Sequence, residues 1–262
     1  MFKTLLQEFL FDLKNQKTRV FLTVASIVWG TMSIVLLLSF GFGLEKRLTE
    51  GNLNWSESTV GVWFGETSKV YQGLPRGRTI TFSEEDLALL QENIPLVEKI
   101  SPSHGRSMRL HYGGVRTTTW GEGVAPDFMV MRRMFPQSGG RFINEEDVLE
   151  QRRVAFLGDK IAGTLFGSED PVGRIIEIDD IPFTVIGVMV PKMQTSMSNG
   201  PDEERVIIPY TTFATVYNRR SIYNILMRPS DRMRSKELVA DVKRLLGRKY
   251  RFDPEDEYAI RV

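Results

Sequence analysis

Apolar positions recur along this chain with three different rhythms, and each predicts a different kind of element. The longest apolar stretch, Val20 to Leu44 (VFLTVASIVWGTMSIVLLLSFGFGL), holds no Asp, Glu, Lys, Arg or His and is bracketed by Arg19 and by Glu45-Lys46-Arg47. At ~1.5 Å per residue a helix of this length reaches about 37 Å, enough to cross a hydrocarbon core of ~30 Å with some tilt. A core helix of a soluble domain would carry a polar stripe. A signal peptide would have a shorter apolar region, ~7–15 residues, with a cleavage site behind it. The pattern therefore predicts a transmembrane helix over 20–44.

Helical periodicity without such length marks the residues before the span. Residues 1–19 put Phe2, Leu5, Leu6, Phe9, Leu10 and Leu13 on one face and Lys3, Gln7, Glu8, Asp12 and Lys14 on the other. This predicts an amphipathic helix lying in the cytoplasmic headgroup plane. Lys3, Lys14, Lys17 and Arg19 precede the span, while Lys46 and Arg47 behind it are mixed with Glu45 and Glu50. Lys and Arg stay on the cytoplasmic side, so the N-terminus is expected inside and everything from Glu45 onward outside. Within the span, Ser26, Gly30 and Ser33 fall at i, i+4 and i+7, one face of small residues on which another helix could pack closely.

Beyond a stalk at 45–58, short apolar runs alternate with helical segments. Strands are predicted at 59–64, 97–101, 107–112, 115–121, 153–157, 206–208, 222–227 and 258–261, and a hairpin at 174–178 and 181–190 around Asp179-Asp180. The run Phe183 to Val190 is the next most apolar in the chain, but at eight residues rich in β-branching it reads as a buried strand. Ser83 and Asp86 form a capping box for a helix to about Glu92. Shorter helices are expected at 126–134, from Gly158 to a glycine C-cap at Gly167, and from Pro209 to Tyr217. A longer one, capped by Ser230, runs to about Arg248 with an apolar stripe of Leu238, Val242 and Leu245 joined by Val239 and Leu246. Residues 191–204 read as a mobile polar loop. Strands and helices in mixed order with hairpins define an α+β class.

Composition narrows the chemistry. A formal net charge of +1 gives no polyanion-binding signal, so no nucleic-acid partner is expected, and the absence of cysteine excludes disulfides and Cys-ligated metal. No phosphate-binding loop is present, since Gly73-Leu-Pro-Arg-Gly77-Arg78 lacks the spacing and the lysine. His104 and His111 lack metal-ligand context and are expected at the surface. The acidic clusters at 84–86 and 145–147 suit helix N-termini, and 202–204 is expected to be solvated in its loop. The basic run on the last helix (Arg232, Arg234, Lys236, Lys243, Arg244, Arg248, Lys249) reads as a solvated face. No catalytic, cofactor or metal residues are predicted, and no enzyme.

Several motifs then fall into one order. Gly139-Gly140-Arg141-Phe142 with Asp147, Arg153-Val-Ala-Phe-Leu-Gly158, Leu165-Phe166-Gly167, Asp170-Pro171-Val-Gly173 and Phe183-Thr-Val-Ile-Gly187-Val resemble the extracytoplasmic core of the MacB/FtsX-like ABC transporter permeases. Gly121 to Asp127 and Ile207 to Tyr210 resemble the flanking segments. The N-terminal helix and a first span ending in Gly41-Phe-Gly43 are similar too, so the resemblance covers nearly the whole chain. It implies an outer domain of two subdomains, a porter-like part at about 59–103 and 205–262 and a smaller inserted part at about 104–204. Gly140, Arg141, Phe142, Gly158, Phe166, Gly167, Pro171, Gly173 and Gly187 would be its structural residues. It also implies a separate cytoplasmic ABC ATPase subunit carrying ATP and Mg, which drives the paired first and second spans. The outer domain would relay that motion for export, efflux or lipoprotein release. Further implied partners are the remaining permease spans or a second permease copy in a dimer, and a periplasmic adaptor. Family members continue for three more spans, so the chain looks like the N-terminal part of a permease in the cytoplasmic (inner) membrane. The competing expectation is a stand-alone anchored binding or adaptor domain.

Overall fold

A computed structural model describes residues 16–52, 59–192, 200–219 and 221–262. The chain forms two units, one ending at Gly51 and one from Asn52 to Val262. Its first unit is described from residue 16 and there forms one helix, α1 (Lys17–Asn52), whose segment Lys17–Gly43 is apolar and long enough to span a membrane, with none of it buried. The helix continues past the apolar run to Asn52, through the first half of the expected stalk. The amphipathic segment expected at 1–19 falls mostly, and the end of the stalk at 53–58 wholly, outside the described residues.

The second unit is organised by one strand. After β1 (Val60–Phe64) and α2 (Glu84–Asn93), strand β2 runs from Val97 to Tyr112, followed by β3 (Val115–Val124). Two separate strands are expected here, at 97–101 and 107–112, with Pro102 and Gly105 between them. Neither breaks the ladder. Pairing of β2 with β3 begins at Ser103↔Val124, so Pro102, which has no N–H to give, lies just outside it. Gly105 leaves room for a cross-strand ring, since a Cβ there would sit 2.5 Å from the Trp120 indole.

The remaining elements are α3 (Phe128–Arg132), α4 (Glu145–Leu149), β4 (Val154–Leu157), α5 (Asp159–Phe166), β5 (Ile175–Ile178), β6 (Ile181–Val188), β7 (Val206–Pro209), α6 (Tyr210–Val216), β8 (Asn224–Pro229), α7 (Ser235–Tyr250) and β9 (Ile260–Arg261). Strand order is β3-β7-β4-β6-β5-β2-β8-β1-β9, and β3 also pairs with β2. Those six strands from β3 to β2 therefore close into a barrel, and β8, β1 and β9 extend the sheet from the other half of β2. At Asp179 and Asp180 both φ angles are positive (48° and 68°), the geometry of a tight two-residue hairpin between β5 and β6.

Three apolar clusters follow from this layout. Val62, Phe82, Leu90, Ile225, Met227, Leu238, Val242 and Leu246 fill the space between the sheet extension and helices α2 and α7. Strands β4, β6 and β7 are buried on both faces, so strand alternation divides them. Ala155, Leu157, Val185, Val206 and Ile208 join the cluster with α5 and Phe213, while Phe156, Ile186 and Ile207 join the one under α3 and Phe142. The expected division at 204/205 does not follow the ladder, because β7 pairs with β3 and β4 and so belongs to the barrel.

Helix ends differ in two places from the sequence pattern. The last helix is capped through Asp231, whose carboxylate accepts from Met233 N at 2.9 Å over a 3-10 turn, and α7 proper starts at Ser235. Pro209 ends β7 and stands as the N-cap before α6 instead of inside its first turn. The Ser83–Asp86 pairing is present, with the Asp86 carboxylate accepting from Ser83 N at 2.7 Å.

Candidate functional site

The small-residue face of the span is open. Ser26 and Ser33 return their hydroxyls to the helix, donating to Leu22 O (2.7 Å) and Trp29 O (2.8 Å), and a Cβ at Gly30 would meet nothing within 4 Å. With the hydroxyls satisfied inside the helix, the face they present is small and weakly polar.

In the outer domain the motif residues collect at three junctions. At the first, the segment 137–141 runs along the edge of β6, with Gln137 N donating to Val188 O and Arg141 N to Ile186 O, both at 2.8 Å. A Cβ on Gly187 would lie 2.4 Å from Arg141 O, and one on Gly140 would lie 2.7 Å from Gly187 Cα. Two backbones approach here at a distance only glycine permits. Arg141 then clamps Asp147 with both terminal nitrogens (2.5 and 2.9 Å), and Asp147 also accepts from Asn144 N at 3.0 Å. Burial opposes the Asp147 charge, but Arg141 and the Asn144 N–H hold its carboxyl below the ordinary range. Phe142 packs edge-on against Phe156 with centroids 4.8 Å apart.

At the second junction a Cβ on Gly158 would sit 2.3 Å from Glu203 O, and Gly158 N donates to Arg205 O at 2.8 Å. The third lies at the far end of α5. Gly167 ends the helix at φ 61°, though its ψ of −111° is outside the left-handed helical region expected of it. Phe166 contacts Tyr112 at 4.1 Å between centroids. Val172 N donates to the Asp170 carboxylate, and Arg174 N to Pro171 O, closing a turn with Gly173 at φ 83°. The motif residues are thus turn and close-packing positions, and they do not converge on one cavity.

Two features are not visible in the sequence pattern. Asp202, expected to be solvated, is fully buried and is met by three cations: Arg132 Nη2 at 2.5 Å, Lys192 Nζ at 2.7 Å and Arg205 Nε at 3.1 Å. Arg205 also pairs with Glu122, which accepts from the Trp120 indole at 3.0 Å, and Lys192 donates to Arg132 O at 2.7 Å. Burial works against the Asp202 charge, yet the three cations hold its carboxyl below the ordinary range. Burial pulls the Lys192 ammonium down from its usual value, with Asp202 partly offsetting it. This network ties β3, α3, the chain beyond β6 and the turn before β7 at one point. The only local sequence cue is the i, i+3 spacing of Asp202 and Arg205 before an apolar run.

The second feature is His104, which is 1% exposed and not at the surface. Its Nδ1 lies 3.1 Å from Ser221 O and its ring stacks on Phe213 at 5.2 Å. Burial, with help from Arg219, lowers its pKa from 6.5 to about 4. His111 remains partly exposed, 2.8 Å from Glu177. Among the described residues no group of three or more His, Asp or Glu is placed to hold a metal ion.

Comparison with known proteins fits this arrangement. The family described as MacB-like periplasmic core domain matches residues 20–245. The macrolide export ATP-binding/permease protein MacB of Shewanella sp. (strain W3-18-1) is 27% identical over 256 residues, covering 96% of this chain and 38% of that protein. MacB of Chlorobaculum tepidum is 31% identical over 202 residues (77% of this chain, 30% of that protein). The pyoverdine export protein PvdT of Pseudomonas aeruginosa is 28% identical over 234 residues (89% and 34%). The chain thus spans about a third of the length of these relatives. Among solved structures, the extracellular domain of the noncanonic ABC-type transporter YknZ from Gram-positive bacteria superposes with a TM-score of 0.63 at 21% identity, covering 77% of this chain and 97% of that one. The periplasmic region of MacB from Actinobacillus actinomycetemcomitans gives 0.63 at 19% identity, over 80% and 90%. Residues 20–245 take in both the apolar helix and the outer domain, and the chain belongs to the MacB/FtsX-like ABC transporter permeases, of which it carries the N-terminal membrane helix and the MacB-like periplasmic core domain.

Proposed function

We propose that this chain relays movement generated by a cytoplasmic ABC ATPase subunit to a periplasmic core domain, for export, efflux or lipoprotein release. The N-terminus lies in the cytoplasm, α1 crosses the inner membrane, and residues 59–262 lie outside it. ATP and Mg2+ are bound and turned over on the partner subunit, and this chain contributes α1 as the moving element. A second helix, from the remaining spans or a second permease copy, packs on the Ser26–Gly30–Ser33 face. The names of the relatives, macrolide and pyoverdine exporters, favour an export cargo.

The observation that carries this reading is the continuous membrane helix, running 36 residues from Lys17 to Asn52, followed by the core domain within one family match. A helix unbroken from the membrane into the region beyond is a stiff lever, since its backbone bonds are all internal. The test uses the permease containing this chain together with its ATPase. Gly30→Leu fills a face that is open here, so the partner helix is forced away. ATP turnover should persist while export falls, and Val35→Leu, on another face, should leave both unchanged. Wild-type export by Gly30→Leu would reduce α1 to a tether.

A further inference from the structure

His104 follows Ser103, the residue of β2 that stands in both the β8 and the β3 ladder. The Ser221 carbonyl can only accept, so the proton of the neutral ring sits on Nδ1 and Nε2 presents a lone pair. That nitrogen is buried and has no hydrogen-bond partner. A proton added there becomes a donor with nothing to accept it, and puts a charge on a residue that is 1% exposed.

The elements around the ring offer that charge no compensation. The chain after α6 brings Tyr223 and Arg219, a cation that opposes a second positive charge. From α6 come Phe213, stacked on the ring, and Tyr217 behind it, whose hydroxyl donates to Asp179 and whose own ring is covered by Arg106. On β3 the residue opposite is Gly123, and its neighbour Glu122 is engaged by Arg205 and Trp120. Phe64 of β1 and Thr81 before α2 carry no charge. No carboxylate among the described residues acts on His104.

What the ring holds is a short strap. Ser221, Ile222 and Tyr223 lead from α6, which packs on the barrel, into β8 of the sheet extension. Single bonds fasten them instead of a ladder: Ser221 O to His104 Nδ1 at 3.1 Å, Ile222 N to Phe82 O at 3.0 Å and Tyr223 N to Ser103 O at 2.9 Å. Such isolated bonds open at less cost than a sheet, because few packed contacts open with them. We propose that His104 is an acid-operated latch: proton uptake at Nε2 expels the ring, releases Ser221 to Tyr223 and loosens the tie between the barrel and the sheet extension. In a domain that relays movement, its two parts are then less tightly coupled in acid. The latch itself is tested on the chain alone, independently of that relay.

The test is amide hydrogen exchange on the full chain in nanodiscs, read by NMR at Ile222 and Tyr223. An opening that returns His104 from a pKa of about 4 to 6.5 becomes about 60-fold more frequent between pH 7 and 4.5. Protection factors at Ile222 and Tyr223 should fall by that factor, at denaturant concentrations too low to unfold the barrel. Val185 and Met189, whose amides are bonded inside the barrel at 2.8 Å, should stay better protected throughout. His104→Phe keeps an aromatic ring against Phe213 but takes up no proton, and should abolish the pH response at Ile222 and Tyr223. Protection of these two amides that does not change with pH would overturn the latch. So would equal protection at all four amides, the mark of global unfolding, or a full pH response in His104→Phe. The first two results are read on wild type and decide the matter even where the variant does not fold.

Discussion

His104 makes the stability of the outer domain sensitive to mild acid. It is 1% exposed, and its pKa of about 4 comes mainly from burial, with the Arg219 charge adding to it and the Ser221 carbonyl opposing it. As pH falls through 6.5 the unfolded chain takes up a proton at this residue and the native chain does not. Stability is therefore lost on acidification between 6.5 and about 4, and the His104 contribution is flat below that. At ~1.4 kcal/mol per pH unit, the interval amounts to about 3.5 kcal/mol. This window lies above the one in which the depressed carboxyls of Asp147, Asp179, Asp202 and Asp256 begin to lose their share, below the unfolded value near 3.8. Denaturant unfolding of the full chain in micelles, followed by tryptophan fluorescence at several pH values, measures it. Wild type should lose about 2.5 kcal/mol between pH 7 and 4.5, where the native ring has not yet fully titrated. His104→Phe keeps the aromatic stack but cannot titrate, so it should start lower at pH 7 and lose far less. Equal losses in the two proteins would show that the acid sensitivity lies elsewhere.

Three further outcomes follow from the geometry. Gly187→Val drives a Cβ against Arg141 O, backbone that no rotamer change can move, and should cost about 3 kcal/mol in the same unfolding assay; Gly163→Ala, with open space around it, should be neutral or slightly stabilising. Asp202→Asn leaves two buried arginines and the partly buried Lys192 without their shared anion and should cost about 3–5 kcal/mol, whereas Glu237→Gln, which breaks the exposed pair with Arg234, should change stability by under ~1 kcal/mol. For topology, Val70→Cys, at a 69% exposed position, should react with an impermeant maleimide in cells with a permeabilised outer membrane, and Lys14→Cys should not; the reverse pattern would invert the orientation.

What could be read in the sequence was whatever rests on local rules. The apolar run of α1 needs no tertiary context, and the Ser83–Asp86 cap, the Asp179-Asp180 hairpin and the Pro171–Gly173 turn are settled within a few residues. Helix ends shift by a residue or two, at Asp231 and Pro209, and the larger misreadings concern partners distant in sequence. The strands expected at 97–101 and 107–112 are one strand, because Pro102 lies outside the β3 ladder and Gly105 makes room for Trp120. Asp202 looks solvated because its neighbours Glu203 and Glu204 are charged as well, yet Arg132 reaches it across 70 residues. His104 is buried by Phe213 and Ser221, more than 100 residues away. A charged residue is expected outside unless paired, and the pairing belongs to the fold.

The same long-range ties bear on how such a domain could pass on movement. β2 is the one strand that enters both parts of the sheet, pairing with β8 through its first half and with β3 and β5 through its second. Its side chains divide accordingly, Ile100 facing the cluster under α2 and α7 and Met108 and Leu110 the barrel interior. Rotating one part against the other would have to bend β2 or break a ladder, and either costs several backbone hydrogen bonds at once. The bend is cheapest where a ladder is already irregular, between Val97 and Lys99, or where no β3 partner is engaged, at Pro102. The buried charges at Asp202 and the Gly140–Gly187 contact both lie on the barrel side of that point. They stiffen the barrel as a unit, so whatever compliance the outer domain has is concentrated in the first half of β2, beside His104.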